Sequence, residues 1–359
     1  MDFLELLRFS INEQTVVPAS EETDWDDLFA QAKKQALVGV LFHGIERLPK
    51  ERQPLKNLKL RWYMSAEKLR KRNEKANKVA AEFTAVLEKA GIGNCILKGQ
   101  GNALMYANPF CRTSGDIDVW IDPQKAVIRH DELCLGDERL HIKKISYRHI
   151  EIGKYHDVLV EVHTRPSFMN NLIHNYRMQH WFEQERGRQF CNQAELPGGA
   201  GTIYVPTDDF NVIYQLSHIN NHFFYEGIGL RQLVDYYHLL KRARNLDRDR
   251  IASLLKRFGL YKMAGAVMYV ESELLGLDKE FLIAPVNRQA GELLYREIML
   301  SGNFGKFDER RIQVSGKIGK NLNRTRRDLR LLRTFPSECL WEPFFRGYHF
   351  VWRLLYGNI

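Results

Sequence analysis

The hydrophobic periodicity of the chain changes twice, and these changes limit the folds that it can form. Apolar residues recur three and four positions apart through residues 1–90, which is typical of amphipathic helices. Short alternating runs follow in residues 91–205, and helical spacing returns in residues 206–359. The pattern predicts an α+β fold, in which a small mixed-sheet core (91–205) lies between a helical N-terminal region (1–90) and an all-helical C-terminal domain (206–359).

Three runs within the middle segment resemble strands, namely residues 94–97, 119–121 and 144–162. The last run contains two alternating stretches separated by Gly153, which predicts an antiparallel hairpin that turns at this glycine. The sequence Pro-Gly-Gly-Ala-Gly at 197–201 indicates a linker or a second hairpin turn before the helical half.

Composition excludes several classes of protein. With 44% hydrophobic and 27% charged residues in 359, the chain is neither disordered nor collagen-like. No run approaches the roughly 18 apolar residues of a membrane-spanning helix, and the acids Asp2 and Glu5 argue against a secretory signal. We therefore expect a cytoplasmic protein without a transmembrane segment. Five scattered cysteines without a Cys-x-x-Cys pair are expected to be reduced, and the net charge of +9 favours polyanionic partners.

The segment most informative about function is Gly115-Asp116-Ile117-Asp118-Val119. Residues two apart on a strand face the same side, so Asp116 and Asp118 place two carboxylates side by side. Such carboxylates repel each other unless a cation lies between them, and hard oxygen ligands suit Mg²⁺. The other interpretation of the bare motif is a turn rich in Gly and Asp.

A Lys-Gly pair precedes this motif. Gly99 follows a strand-like run and opens a predicted helix at Gln100, an arrangement in which backbone N–H groups meet phosphate oxygens. Lys98 and Arg112 are expected to neutralise phosphate charge. The ordered series of strand, Lys-Gly, helix, Arg and Asp-x-Asp strand favours a nucleotide site over a simple turn.

In this order the residues resemble the nucleotidyltransferases of the DNA polymerase beta superfamily, specifically an uncharacterised bacterial group with a Lys-Gly turn and a Gly-Asp-x-Asp strand. The helical sequences at 218–224 and 227–235 are similar to a signature of the same group, and a looser likeness lies at 335–338. The resemblance implies a Mg²⁺-dependent enzyme with two ions, Mn²⁺ being an alternative, bound by Asp116 and Asp118. It also implies an NTP substrate and a hydroxyl acceptor.

The resemblance further implies a set of nucleotide-binding residues, which are Lys98, Gly99, Gln100, Arg112 and Gly115. The superfamily usually has Gly-Ser where this chain has Gly99-Gln100. We therefore expect that in this chain the backbone or Lys98 makes the phosphate contact that the serine makes in the superfamily.

A third carboxylate is expected on a neighbouring strand. In residues 156–163, alternation places Asp157, Glu161 and His163 on one face and three valines on the other. Asp157 and Glu161 are about 13 Å apart along an extended strand, so only one can reach the metals. Glu161 lies between valines in a pattern with His163 that the group shares, and we predict that it faces the Asp116–Asp118 pair. Asp157, near Gly153, is the alternative, and a solvent-facing Glu161 is the simpler explanation.

Further polar residues recur in the helical half. His218, His222 and Glu226 are spaced by four and share a helix face, which suits a metal site or, more commonly, buried packing. Arg231 and Asp235 are also four apart and are expected either to form a helix ion pair or, as the resemblance implies, to shape the substrate pocket.

The C-terminal part combines bases and aromatic residues. Bases exceed acids in residues 306–333, which predicts either a solvated packing helix or a surface for anionic lipid or nucleic acid. The aromatic residues of 341–352 are expected to pack as core, because an exposed apolar patch favours aggregation.

These patterns support two hypotheses. The first is a nucleotidyltransferase that moves a nucleoside monophosphate from an NTP to a hydroxyl of a protein, small molecule, sugar or RNA, with Asp116, Asp118 and Glu161 as metal ligands. The second is a non-catalytic module that binds nucleotides or nucleic acids through its basic surfaces.

Overall fold

Helices form the N-terminal region in the computed structural model, which describes residues 1–12, 22–129, 131–311 and 316–356. They are α1 (Phe3–Ile11), α2 (Trp25–Lys34), α3 (Val38–Arg47) and α4 (Lys56–Lys89). Asp2 and Asp24 cap α1 and α2 because their carboxylates accept hydrogen bonds from backbone N–H groups of the first turn.

Strands and short helices make up the middle of the chain. The strands are β1 (Asn94–Ile96), β2 (Ile117–Ile121), β3 (Val127–Arg129), β4 (Glu132–Leu135), β5 (Glu138–His141), β6 (Lys144–Ile145), β7 (His149–Tyr155), β8 (Val158–His163), β9 (Gln193–Leu196) and β10 (Gly201–Tyr204). The central sheet has the order β1-β2-β8-β7-β6, in which β2 and β8 are parallel and the other neighbours antiparallel. Strands β3-β4-β5 form a second sheet.

The remaining helices complete an α+β fold, as the periodicity predicts. They are α5 (Gln100–Ala103), α6 (Leu172–Gln189), α7 (Asp208–Tyr225), α8 (Leu230–Arg242), α9 (Arg248–Arg257), α10 (Tyr261–Tyr269), α11 (Arg288–Ser301), α12 (Gly316–Leu331) and α13 (Pro336–Tyr356).

Two hairpins of the structure lie where the sequence predicts turns. Strands β9 and β10 pair antiparallel around residues 197–200, so the predicted hairpin there is confirmed. The predicted turn at Gly153 is wrong, because β7 and β8 pair up to Tyr155 and Val158 and turn at His156 and Asp157. Both turn residues have positive φ, whereas Gly153 lies at a shift of register within β7.

Strand β2 is buried on both faces. Ile117 and Val119 belong to a core between the sheet and the C-terminal half of α4. Trp120 faces a larger core, which contains residues of the N-terminal helices and of the C-terminal helical part. Its ring stacks on Phe210 of α7 at 5.6 Å between centroids. Since alternate residues of a strand share a face, Asp118 lies on the Trp120 side, between the sheet and the helices.

Helix α13 differs from the prediction for the C-terminal aromatic residues. Phe345 is buried, but Phe344 and Phe350 are 66% and 55% exposed. The helix buries Cys339, Glu342 and Phe345 on one stripe, so residues on the opposite side remain at the surface. The expectation that these aromatic residues all pack as core is therefore wrong. Among the described helices, none is long and apolar enough to cross a bilayer.

Candidate active site

The turn between β1 and α5 places Lys98 beside the second strand. The N–H of Leu97 donates to the carbonyl of Asp118 at 2.9 Å, which extends the β1–β2 pairing by one residue. Gly99 then adopts φ 61° and ψ −108°, a conformation that a side chain disfavours strongly. The chain thus turns away from the sheet while the Lys98 side chain stays over β2.

Three carboxylates converge next to this turn. Asp118 lies in β2 and is the register partner of Glu161 in β8, while Asp116 immediately precedes β2. One carboxylate oxygen of each residue lies within 4.8 Å of the others. Asp157 instead lies in the β7–β8 turn, where its exposed carboxylate pairs with Lys75 at 3.1 Å. The structure therefore brings Asp116, Asp118 and Glu161 together and leaves Asp157 outside.

Asp118 is held by two cationic or polar neighbours. The Nε2 atom of His163 lies 2.8 Å from its Oδ1, and the Lys98 Nζ lies 3.1 Å from its Oδ2. Burial raises the pKa of this carboxyl, but the charge of Lys98 and the contact with His163 outweigh burial and hold the pKa well below its usual range. Asp118 is therefore ionised at neutral pH.

Neighbouring groups and burial also shift the pKa values of Asp116 and Glu161. The charge of Asp118 and burial raise the pKa of Asp116. Burial also raises the pKa of Glu161, but a hydrogen bond with His163 lowers it below its ordinary value. Because these negative groups crowd together, a bound cation would relieve their repulsion.

The residues present fit a hard divalent cation. Oδ2 of Asp118 is buried and lies 3.1 Å from the Lys98 ammonium, with no hydrogen bond from the described residues, so a divalent cation bound at this oxygen would replace the Lys98 contact. Oxygen donors from carboxylates are the ligands that Mg²⁺ prefers, with phosphates completing its shell. A second group, His149, Glu161 and His163, also converges, but its nitrogen donors suit transition metals better.

The structure changes the interpretation of Arg112 and Asp235. The Arg112 guanidinium forms a buried bidentate pair with Asp235, with N···O distances of 2.7 and 2.6 Å. Two of its donors, on Nε and Nη2, are therefore directed at a protein carboxylate, and its expected neutralisation of phosphate remains a prediction. Arg231 does not pair with Asp235 but donates to the Thr113 carbonyl at 2.7 Å. These contacts fix the loop that leads into Asp116.

The histidines of α7 make pairwise contacts. Nε2 of His218 lies 3.4 Å from the Nζ of Lys98, and Nδ1 of His222 lies 3.1 Å from Glu226. Burial and the charge of Lys98 hold the pKa of His218 well below its usual range, so this imidazole is neutral. In the described part of the chain, these residues are not in a group that converges on a metal position.

Gln100 and Gly115 make few hydrogen bonds among the described residues. The side-chain amide of Gln100 is buried, and neither of its polar atoms has a hydrogen-bond partner among the described residues. The carbonyl of Gly115 accepts from Arg72 at 3.2 Å, and a Cβ added at Gly115 would have no described atom within 4 Å. Their assignment to the nucleotide, like that of Gly99 and Lys98, remains a prediction.

Two residues near the carboxylates escaped the sequence interpretation. His149 pairs in register with His163, and its Nδ1 lies 3.7 Å from Glu161. Arg148, directly before it, is half-buried and donates from Nε to the His149 ring at 3.3 Å. The alternation of polar and apolar residues in β7 marks His149 as one of a polar face, but only the order of the strands shows that this face adjoins Glu161.

Comparison with known proteins places the chain in a class of transferases. The family model described as an uncharacterised nucleotidyltransferase matches residues 21–276. The match covers more than half of the chain, both the sheet and the helices α7 and α8, and the chain belongs to this family. Searches of curated proteins and of solved structures gave no match.

Proposed function

We propose that the protein is a polymerase-beta-like enzyme that transfers a nucleoside monophosphate from an NTP to a hydroxyl group. The observation that carries this proposal is the convergence of Asp116, Asp118 and Glu161 within 4.8 Å, next to the Lys98–Gly99 turn. Membership of the nucleotidyltransferase family supports it.

The proposed role of the carboxylates is to hold two Mg²⁺ ions, which when bound would neutralise the triphosphate and lower the pKa of the acceptor hydroxyl. Asp118 is suited to this role because it is ionised and already balances a positive charge, that of Lys98 at 3.1 Å. His163 orients both Asp118 and Glu161, since its Nε2 lies 2.8 Å from the first and 3.6 Å from the second.

Lys98 and the backbone around Gly99 are the proposed contacts of the β- and γ-phosphates. The ammonium of Lys98 is 3.1 Å from Asp118 and 3.4 Å from Nε2 of His218, so a small movement would let it bridge carboxylate and phosphate. In this proposal Arg112, Arg231 and Asp235 are positioning residues, because Arg112 pairs with Asp235 and Arg231 donates to the Thr113 carbonyl, contacts that hold the loop before Asp116.

Pyrophosphate release tests the proposal against the non-catalytic module. Each of the four common NTPs is incubated with Mg²⁺ and with acceptors of four kinds: proteins, small alcohols, sugars and RNA. We expect release with at least one pair, and we expect it to be absent in Asp118→Asn and retained in Asp157→Asn, which changes an exposed carboxylate. Nucleotide binding without release for any acceptor would favour the binding module.

A further inference from the structure

The central sheet separates two sides of the carboxylate cluster. In the order β1-β2-β8-β7-β6, Lys98 follows β1, and the carboxylates lie on or next to β2 and β8. His149 and Lys144 belong to β7 and β6. If the phosphates lie at Lys98, as the proposed function requires, the β7–β6 side remains for the second substrate. An in-line displacement needs this arrangement, because the attacking and leaving oxygens lie on opposite sides of phosphorus.

A cavity of about 320 Å³ lies on that side, and we call it the inner cavity. It is lined by His149, which contacts Glu161, and by Arg148, Tyr147 and Arg324, among others. Arg148 has no carboxylate within ion-pair distance among the described residues, whereas Arg324 pairs with Glu342 at 3.1 Å. The inner cavity thus reaches the carboxylate cluster at His149, which contacts Glu161, and Arg148 adds a positive charge without an ion-pair partner to its lining.

A second cavity of about 440 Å³ adjoins the first. The two share Tyr225, Glu226 and Arg324. We call the second one the arginine cavity, because its described lining includes Arg310, Arg311, Arg324, Arg326, Arg327 and Arg330. The carboxylates in the same lining are Glu226 and Asp308. Glu297 pairs with Arg310 and Arg330, and Glu342 pairs with Arg324. The arginines left without a carboxylate partner among the described residues are Arg311, Arg326 and Arg327.

The arginine cavity holds its cations close together. Arg311 and Arg327 both donate to the backbone carbonyl of Glu226, so the two guanidiniums meet at one oxygen. Arg327 is 8% exposed, and burial together with the charge of Arg311 lowers its pKa to about 10. Arg326 has no ion-pair partner in the described part of the chain. Such a cluster is stabilised by an anion, and arginine matches the geometry of phosphate.

Another cavity shows that arginines alone do not make such a site. A cavity of about 650 Å³ near α6 and α9 also contains arginines. There Arg188 pairs with Asp209, Arg242 with Asp208, and Arg250 with Glu185. Among the described residues, that cavity keeps one arginine without an ion pair, Arg244, whereas the arginine cavity keeps three, Arg311, Arg326 and Arg327. The contrast singles out the arginine cavity.

We infer that the acceptor is a phosphate-bearing molecule, whose phosphate lies in the arginine cavity while its hydroxyl reaches the carboxylates through the inner cavity. This inference rests on the proposed function for the role of the carboxylates. The anion site itself rests on the arginines. A nucleic-acid strand and a small phosphorylated compound share this chemistry.

Calorimetric titration with tripolyphosphate in the presence of EDTA tests the anion site. The test variant is Arg326→Ser/Arg330→Ser, because both side chains are exposed in α12. We expect its affinity to fall by about tenfold or more, since it loses two charge-assisted contacts. The matched control Arg177→Ser/Arg257→Ser removes the same charge from exposed positions elsewhere and should bind as the wild type does. Thermal unfolding of each variant shows whether it is folded, and Arg326→Ser alone provides a milder change.

The variant Lys98→Met distinguishes anion binding in the arginine cavity from binding at the proposed nucleotide site. We expect it to bind tripolyphosphate as the wild type does, but to lose affinity for a non-hydrolysable NTP analogue with Mg²⁺. Absence of tripolyphosphate binding, equal binding by the α12 double variant, or loss of binding in Lys98→Met alone would overturn the inference. A wild type that binds tripolyphosphate but no Mg²⁺–NTP analogue would instead contradict the proposed function.

Competition then identifies the source of the phosphate. A single-stranded oligouridylate of about ten nucleotides and glycerol 3-phosphate are each added to the tripolyphosphate complex. Displacement by the oligonucleotide alone assigns the site to a nucleic-acid strand, and displacement by glycerol 3-phosphate assigns it to a small acceptor. Failure of both to displace tripolyphosphate would contradict a role in acceptor binding.

Discussion

Asp118 and Glu161 face each other across the parallel strands β2 and β8, and the Nε2 atom of His163 lies 2.8 Å from the first and 3.6 Å from the second. One imidazole therefore orients two carboxylates that come from different strands. The geometry thus places Glu161 beside Asp118 and Asp116, whereas Asp157 lies in the β7–β8 turn and pairs with Lys75.

Glu161→Gln should reduce Mg²⁺-dependent turnover by roughly 100-fold or more, because a neutral amide is a weaker ligand for a divalent cation. The variant keeps the shape of the side chain, and Glu161 is only half-buried, so we expect the fold to persist. Asp157→Asn is the matched control and should retain activity. Undiminished turnover in Glu161→Gln, or its loss in Asp157→Asn, would reverse the choice of the third carboxylate.

Asp235→Ala should destabilise the protein by about 3–5 kcal/mol, because it leaves the buried Arg112 charge unpaired. The exposed pair of Asp26 with Arg61 at 3.2 Å provides the comparison, and Asp26→Ala should cost at most about 1 kcal/mol. Urea unfolding measures both changes. Equal small effects would mean that the Arg112–Asp235 pair does not hold the loop before Asp116.

Gly99→Ala should cost about 1–3 kcal/mol, because φ 61° with ψ −108° is strained for any residue with a Cβ. The strain is conformational, since the nearest atom to an added Cβ is the Asp116 carbonyl oxygen at 3.5 Å. Gly187→Ala in α6, where an added Cβ has open space, should instead stabilise by up to about 1 kcal/mol. Thermal unfolding distinguishes the signs, and a stabilising Gly99→Ala would contradict the described turn.

Glu338, at the start of α13, should make stability depend on pH. Burial raises its pKa to about 7 from 4.5, although the N–H of Asn170 donates to it. The folded state therefore binds more protons than the unfolded state between these values, and the free energy of unfolding falls as pH rises through this window.

Glu338→Gln removes this dependence. The free energy of unfolding of the variant, relative to that of the wild type, should rise by roughly 3 kcal/mol from pH 4 to pH 8. Urea unfolding across this range measures the difference between the two proteins. A difference that stays constant with pH would show that Glu338 does not titrate in the way described.

Local periodicity was sufficient to predict the strands that carry the candidate site but not the residues around them. Alternation predicts that Asp116 and Asp118 share a face and that Glu161 lies between buried valines, because each pattern is contained within one strand. The turn at His156–Asp157 was missed, because Gly153 has the usual conformational preference of a turn and here occupies an irregularity in β7.

Contacts between distant segments could not be predicted from spacing. Arg112 and Asp235 come from a loop and from α8, and only the packing of α8 against that loop brings them together. The same holds for Arg148 and His149, whose nearness to Glu161 depends on the strand order. The exposed side of α13 was also missed, since the number of aromatic residues does not determine which face of a helix packs against the rest of the protein.

In the proposed function, Asp118 helps to bind a divalent cation together with an NTP. Calorimetric titration of a non-hydrolysable NTP analogue with and without Mg²⁺ tests this role in the wild type, Asp118→Asn and Asp157→Asn. We expect Mg²⁺-dependent binding in the wild type and in Asp157→Asn, and loss of the Mg²⁺ dependence in Asp118→Asn. Equal Mg²⁺-dependent binding in Asp118→Asn, with a fold that thermal unfolding shows to be intact, would contradict this role.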